Sequence, residues 1–591
     1  MQLHYLSIPN FRNLRNAELS FATELSPAQG SDHPPKPIRS HTLIGQNGTG
    51  KSNLIEALIT IFRNIDLDLP SETLDKQPLD YTLEYEIRGR TVRLQADTAK
   101  QKRPFVWVNG EKQTQAYLLK NRELLPSHVF AYYSGRNERI EALFQEHQRR
   151  FNRRQEIVAE EVLPSSLLEN FTGSDAGIRA IEDAKRREDN RFRNLGDDRL
   201  RRLFYCYGGH SQLVLLACLL EDDPVFQKVL RSLSIESLES ALFVLKEPFK
   251  LREKRNRAKF EEHELNEGDP RFWYARGNVV SEFLDKLWQV AWAPITQEID
   301  KQIDFRGRTE RQRQLYLFVP NHAKLKQLGD LVGGTDSFFR YAEGAYIGDL
   351  IEEVRITVTK RVKGEAGEDK VKFTELSEGE LQMLTVLGLM RITREDHCLF
   401  LLDEPDTHLN PLWKLRYFDD IEGVLSADQD KLIQAESQIL ITTHDPIMVG
   451  GLKREQVHIL RRIGGHTVVD IPDEHPQGMG VTGLLKSELF GLSSTLDSET
   501  ERRLKLRNDL FVKSPRTKEE DAELTKLSTE LADLGFSNAD FRDPDYALFV
   551  RKMSEHRRLR RPNLSAEKMA EQDRIADIII EEILREEENG L

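Results

Sequence analysis

Cysteine is almost missing from this chain. It has three in 591 residues, Cys206, Cys218 and Cys398, and none are spaced as CxxC. That excludes a disulfide framework and a cysteine zinc site, and it fits a reducing compartment. Long apolar runs are missing too. The longest, Leu213 to Leu220, falls far short of the roughly 20 residues that a membrane span requires. The N-terminus opens on a strand-like alternation rather than a charged-then-apolar signal peptide. Excess positive charge is also lacking: the formal net charge is −13, so any nucleic-acid contact must use local basic patches. There is no internal repeat and no sustained heptad pattern. The expectation is a soluble cytoplasmic protein with no membrane contact.

What is present is ample apolar material (39%) for proper cores and a high charged content (31%), a sign of much exposed helical surface. The length allows several domains. Residues 1–135 alternate polar and apolar in short runs such as Leu83 to Ile87, Thr91 to Leu94 and Phe105 to Val108, which read as half-buried strands. Ser26 to Arg39 reads as a loop. Residues 136–345 turn to charged, helix-period stretches, clearest at Ser211–Leu220, Val225–Leu233 and Val279–Trp292, interrupted by a strand-like run at Gln314 to Val319. Strand texture returns in 346–475, and 476–591 is polar and helical.

Gly45-Gln46-Asn47-Gly48-Thr49-Gly50-Lys51-Ser52 fits the phosphate-loop pattern GxxxxGK[ST]. It lies between the apolar run Thr42-Leu43-Ile44 and a helix with Leu54, Leu58, Ile61 and Phe62 on one face; Asn53 is counted with the loop. Glycines let backbone N–H groups turn toward phosphates, and the helix N-terminus adds partial positive charge. Lys51 would neutralise the β- and γ-phosphates, and Ser52 would hold Mg²⁺. A second apolar strand, Cys398 to Leu402, ends in Asp403-Glu404. The first carboxylate suits Mg²⁺ and the second suits a base that polarises water.

Leu376-Ser377-Glu378-Gly379-Glu380-Leu381-Gln382 precedes that strand. Here the sequence resembles the ABC ATPases, and more closely their SMC/RecF-like branch, in which LSxGE signatures are frequent. The D-loop is matched by Asp406-Thr407-His408-Leu409-Asn410, and the switch histidine by His444 after Gln438 to Thr443. Ile8-Pro9-Asn10-Phe11-Arg12-Asn13-Leu14 looks like the branch's first strand, which would make Arg12 a phosphate-binding residue. The resemblance covers roughly 1–135 and 346–470. It implies an α/β fold: an ABC ATPase head of two lobes, a P-loop core sheet plus an antiparallel β lobe. A large, mostly helical insertion and a helical C-terminal region complete it. It also implies ATP and Mg²⁺ as cofactors and a homodimer or higher oligomer. In that dimer Ser377, Glu378, Gly379 and Glu380 of one copy cap the nucleotide of the other. No glutamine stands where the family's Q-loop would follow Val129 to Tyr133; Ser134-Gly135-Arg136-Asn137 does, with Gln145 further on.

A transporter role fits poorly with the large hydrophilic insertion. A DNA-repair clamp would need a coiled coil or a nucleic-acid face. Two basic clusters, Lys250 to Lys259 and Lys185 to Arg193, read either as phosphate contacts with DNA or RNA or as solvated helix faces with interleaved acids. The compact lobes, with the stretch Gly478-Met479-Gly480-Val481 through Leu489-Phe490-Gly491-Leu492-Ser493-Ser494, look like the ATPase subunits (PtuA) of Septu-type and retron-associated antiphage defence systems. That resemblance implies an ATPase acting with an HNH nuclease; the alternatives are a nucleotide-gated repair clamp and a non-hydrolysing ATP-bound scaffold. OLD-type nucleases differ in carrying carboxylates at strand ends after the ATPase. Asp543-Pro544-Asp545 sits in a polar stretch without such strands, so no intrinsic nuclease is expected. Ile575, Ile578, Ile579 and Ile583 share one helical face near Arg557, Arg558, Arg560 and Arg561, a face for a partner or for the chain's own ATPase lobe.

Overall fold

The computed structural model describes residues 1–25, 37–135, 137–156, 202–207, 209–248, 269–273, 275, 283–302, 307–361, 368–393, 397–426, 437–492, 496–513 and 515–534. Both basic clusters, Arg136, Ser493-Ser494, Asp543 to Asp545 and the arginines and isoleucines between Arg557 and Ile583 lie outside them. The described chain is α/β with three sheets.

The sheet that positions the site has seven strands: β3 (Ser40–Ile44), β8 (Val129–Tyr133), β9 (Leu203–Tyr205), β15 (Leu399–Asp403), β16 (Gln438–Thr442), β17 (Val457–Ile463) and β18 (His466–Asp470). Their order is β18-β17-β3-β16-β15-β8-β9. All neighbours run parallel except the β17–β18 hairpin. β3, β15 and β16 are buried along their whole length, as strands of a parallel sheet covered on both faces must be. Strands from before residue 135 and after residue 396 interleave here, so the two ATPase segments build one sheet.

A six-stranded antiparallel sheet holds β1 (Gln2–Phe11), β2 (Leu14–Ser20), β4 (Tyr81–Ile87), β5 (Arg90–Ala96), β6 (Phe105–Val108) and β7 (Glu111–Gln113), in the order β2-β1-β4-β5-β6-β7. β4 alternates strictly between buried and half-buried residues, the pattern of a sheet with one face on a core. That core includes Leu54, Leu58, Ile61 and Phe62 of helix α1 (Lys51–Asp66). The tight β1–β2 turn carries Arg12 and Asn13 toward the loop before α1.

The third sheet is antiparallel, ordered β11-β12-β10-β13-β14. It comprises β10 (Ile235–Lys246), β11 (Trp292–Gln302), β12 (Thr309–Val319), β13 (Ile351–Arg361) and β14 (Glu368–Lys372). Three of its strands come from the 136–345 segment, where the sequence offered only Gln314 to Val319 as strand. Helices stand beside them, including α2 (Glu138–Glu156) and α3 (His210–Cys218). β11 is exposed at almost every position and so lacks the alternation by which strands are recognised. Two further helices follow in the sequence: α4 (Glu378–Ile392), packed on α3, and α5 (Pro411–Ser426). No helix among the described residues is long and apolar enough to cross a membrane.

Met1–Pro472 with Pro476–Gly478 forms one compact unit, and Asp473–His475 with Met479–Leu591 forms a second. In the second unit α6 (Ser498–Val512) packs on α7 (Lys518–Asp533). Asp497 caps α6, and Thr517 and Glu520 cap α7 reciprocally, satisfying N–H groups that a helix start leaves unpaired.

Candidate functional site: a phosphate loop facing two carboxylates

Strand register assembles the site. Leu43 pairs with Thr442, Thr442 with Asp403, and Asp403 with Tyr133, one row across four parallel strands. The chain leaves this row at the carboxyl ends of the strands, where open α/β sheets bind ligands. Gly45 follows β3, Glu404 follows β15, Thr443-His444 follows β16 and Ser134 follows β8.

Gly50 opens α1 at φ 110°, and a Cβ there would lie 2.5 Å from Leu14 Cδ2. Both the conformation and the packing of the β1–β2 turn therefore require glycine. α1 has no acidic residue in its first turn and no side-chain cap, so its positive end is unopposed. Lys51 bends back and donates to Gly45 O at 2.8 Å. Thr49 Oγ1 closes the loop on Gln46 O at 2.9 Å, and Asn13 Nδ2 donates to Gly48 O at 2.6 Å. Burial lowers the Lys51 pKa, and Glu404 and Asp403 pull it back up, placing the ammonium within range of both carboxylates.

Asp403 is buried, and Thr442 Oγ1 donates to its Oδ1. Its Oδ2 is buried without a well-formed hydrogen bond, an arrangement that favours a cation. Burial raises the Asp403 pKa against the opposing pull of Thr442, Ser52 and Lys51. Glu404 has φ 50°, rare for a residue with a side chain, and strain of this kind gathers at functional sites. Its N–H donates to Thr442 O and Oγ1, both at 3.1 Å, and His444 Nδ1 lies 3.3 Å from its Oε1.

The signature segment and D-loop are clipped together. Ser377 caps α4: Glu380 N donates to Ser377 Oγ at 3.3 Å, and Ser377 N donates to Glu380 Oε2 at 2.8 Å. Lys360 Nζ binds Glu380 Oε1 at 2.5 Å; burial raises the Glu380 pKa, but the Lys360 and Ser377 contacts bring it below the usual value. A Cβ on Gly379 would lie 2.5 Å from His408 O, so only glycine lets the D-loop backbone approach this closely. Gln382 Oε1 accepts from His408 N at 3.2 Å, and His408 Nδ1 lies 3.0 Å from Glu378 Oε2. Asp406 is buried and accepts from Thr443 Oγ1 at 2.9 Å; burial raises its pKa. Asn410 Oδ1 accepts from Trp413 N at 2.9 Å and so caps the start of α5.

A family described as "AAA domain, putative AbiEii toxin, Type IV TA system" (AAA_21) matches residues 40–449. The chain belongs to that family. None of the curated proteins matches it. Among solved structures, the SMC head domain from Thermotoga maritima aligns at 12% identity and TM-score 0.29, over 80% of this chain and 99% of that one. An SMC head bound to the C-terminal winged-helix domain of ScpA aligns at 11% and 0.30, over 80% and 98%. The recombination mediator RecF with ATP aligns at 13% and 0.26, over 80% and 97%. Scores this low lend nothing to the site, which rests on its own residues and on the AAA_21 family. The AAA_21 match makes this a P-loop ATPase-family chain.

In this AAA_21 protein, Gly45 to Asn53, Asp403, Glu404 and His444 come together. Ser377, Glu378, Gly379 and Glu380 form a second group with Asp406 and Asn410 nearby, and Arg12 pairs with Glu56 on α1 at 2.8 Å. Gln145 stands elsewhere. It lines a cleft of about 620 Å³ with Tyr207, Lys246 and Tyr346, none of them nucleotide-site residues. What adjoins Asp403 instead is Ser134, whose N–H donates to Asp403 O at 3.1 Å. Sequence reading also missed Thr442, Glu56 and Arg139. Thr442 had a signal, being a hydroxyl at the end of an apolar strand; the other two had none.

Proposed function

We propose that this chain binds and hydrolyses ATP with Mg²⁺, and that two copies close around the nucleotide to control a separate effector nuclease in antiphage defence. The observation that carries the ATPase reading is the register row, which sets Lys51 and its glycine loop opposite Asp403 and Glu404. Lys51 holds the β- and γ-phosphates in place of the Gly45 carbonyl it now meets. Ser52 and Asp403 would hold Mg²⁺, which would supply charge neutralisation at the phosphates. Such a site needs few protein ligands. It therefore agrees with the lack, among the described residues, of any group of three or more His, Cys, Asp or Glu suited to a metal. Glu404 accepts the proton of the attacking water, and His444 orients its carboxylate.

The dimer reading is supported by the helix start at Ser377. Apart from the N–H of Glu380, the N–H groups of the first turn of α4 have no partner within the helix, which suits a γ-phosphate oxygen from a second copy even beside Glu378 and Glu380. The defence reading is supported by the Septu-type resemblance and by the toxin–antitoxin description of the family.

Glu404→Gln tests the central claim. ATP binding should persist, hydrolysis should fall at least ~100-fold, and an ATP-dependent dimer should accumulate on gel filtration. Lys51→Ala should lose all three. A Glu404→Gln protein that hydrolyses normally, or elutes identically with and without ATP, refutes this reading. Co-expression with an HNH nuclease encoded beside the chain should yield a complex that co-purifies.

A further inference from the structure

A buried carboxylate beside a phosphate loop is out of place unless something overcompensates it. Glu56, five residues after Lys51 on α1, has a side chain only 3% exposed. It is held by two arginines from separate elements: Arg12 at 2.8 Å on Oε1 and Arg139, in the first turn of α2, at 3.0 Å on Oε2. Two guanidinium groups on one carboxylate leave the cluster one positive charge in surplus. Both arginines keep an outer side, at 32% and 43% exposure, so neither is spent on the pair.

Arg139 is tied to the loop itself. Its guanidinium donates to Asn53 Oδ1 at 3.1 Å, Asn53 Nδ2 donates to Asn13 Oδ1 at 2.6 Å, and Asn13 Nδ2 donates to Gly48 O at 2.6 Å. An unbroken polar chain thus joins Arg139 to the phosphate-loop backbone. Tyr133, at the end of β8 in the register row, lies within electrostatic reach of Asp403, Glu404 and Arg139 alike.

We propose that Arg139 is a phosphate-binding residue of this site, held ready by Glu56, and that it contacts the polyphosphate chain of a nucleotide. The inference rests on the nucleotide-binding reading above. Guanidinium groups suit the task because they are weakly hydrated and engage phosphate oxygens two at a time. Glu56 is a positioning residue: it hydrogen-bonds Arg12 and ion-pairs with Arg139, and each guanidinium keeps an exposed side for the ligand.

The rival explanation is that Arg139 merely neutralises a buried acid, and a double-variant experiment on the full-length chain separates the two. Arg139→Ala should raise the ATP Kd about tenfold, the loss of one or two charge-assisted hydrogen bonds. Arg139→Lys should recover only part of the affinity. Adding Glu56→Gln to Arg139→Ala removes the buried acid itself, so any stability lost with Arg139 should return while the weakened ATP binding stays. Because that double variant has no buried acid left at this position to neutralise, and Arg12 reaches solvent, it remains testable even if Arg139→Ala folds poorly. Wild-type affinity in Arg139→Ala, or affinity restored by Glu56→Gln, overturns the inference. Lys51→Ala, run alongside, reports on the site as a whole; ATP binding that survives there counts against the nucleotide reading, not against Arg139 alone.

Discussion

His41 and His458 show how a single residue's protonation is set by where the sheet places it. They face each other at 3.2 Å between β3 and β17, both buried, with Phe21 edge-on to each ring at 5.2 Å. Burial holds His458 down to about 4, and burial with His458 beside it holds His41 well below its ordinary value. In the unfolded chain both titrate near 6.5. Between those values the unfolded state binds protons that the native state refuses, so stability must fall as pH drops from about 6.5 toward 4. His458 alone accounts for roughly 3 kcal/mol across that window at about 1.4 kcal/mol per unit. Urea unfolding of wild type should therefore show a midpoint that falls between about pH 7 and pH 4.5. His458→Gln should flatten that fall; an equal fall in both proteins would place the acid sensitivity elsewhere. Nothing in the pattern of β17 reveals this pair, because the largely apolar run Val457 to Leu460 reports burial and not what His458 meets.

At the level of elements, the sequence was most readable where one motif makes one turn. The loop before α1, the strand ending in Asp403-Glu404 and the run ending at Thr442 all carry their own local signals. α1 was half readable. Leu54, Leu58, Ile61 and Phe62 mark an apolar face, yet Glu56, Thr60, Arg63 and Asn64 are buried as well. A helix covered all round cannot be recognised by one-sided periodicity, and the partners that make Glu56 tolerable come from the β1–β2 turn and α2. The start of α4 raises a different question, since Ser377 is both a helix cap and the proposed γ-phosphate contact. Substitution separates these duties. Ser377→Asp keeps an N-cap of equal rank, so stability should stay near wild type, whereas Ser377→Ala should lose about 1 kcal/mol. Aspartate puts a negative charge where phosphate oxygens would approach. ATP-dependent association should vanish in the aspartate variant and survive in part in the alanine variant. If Ser377→Asp still dimerises with ATP, Ser377 serves the helix and nothing more.

The whole molecule is where the sequence said least, because long-range order decides it. That β3 lies between β17 and β16, drawing strands from both ends of the first unit into one sheet, follows from pairings no local window contains. The same holds for β10 and β11, which read as helical insertion, and for β12, of which only Gln314 to Val319 read as strand. The division of the chain into two compact units has a direct consequence for function. Every residue proposed to touch nucleotide, from Arg12 to His444, belongs to the unit Met1–Pro472 with Pro476–Gly478. The helices α6 and α7 belong to the other, and α6 and α7 bury Leu510, Leu527 and Leu531. A chain ending after Gly478 should therefore bind ATP within about twofold of the full-length protein, since the shortening removes none of the residues proposed to touch nucleotide. It should also keep its melting response to added ATP, as a ligand that binds only the folded state raises stability by mass action. If the C-terminal region serves the effector, the shortened chain should fail to retain an HNH nuclease that full-length protein co-purifies. A shortened chain that folds but no longer binds ATP would make the second unit part of the nucleotide machinery, and the separation of binding from partner docking would have to be abandoned.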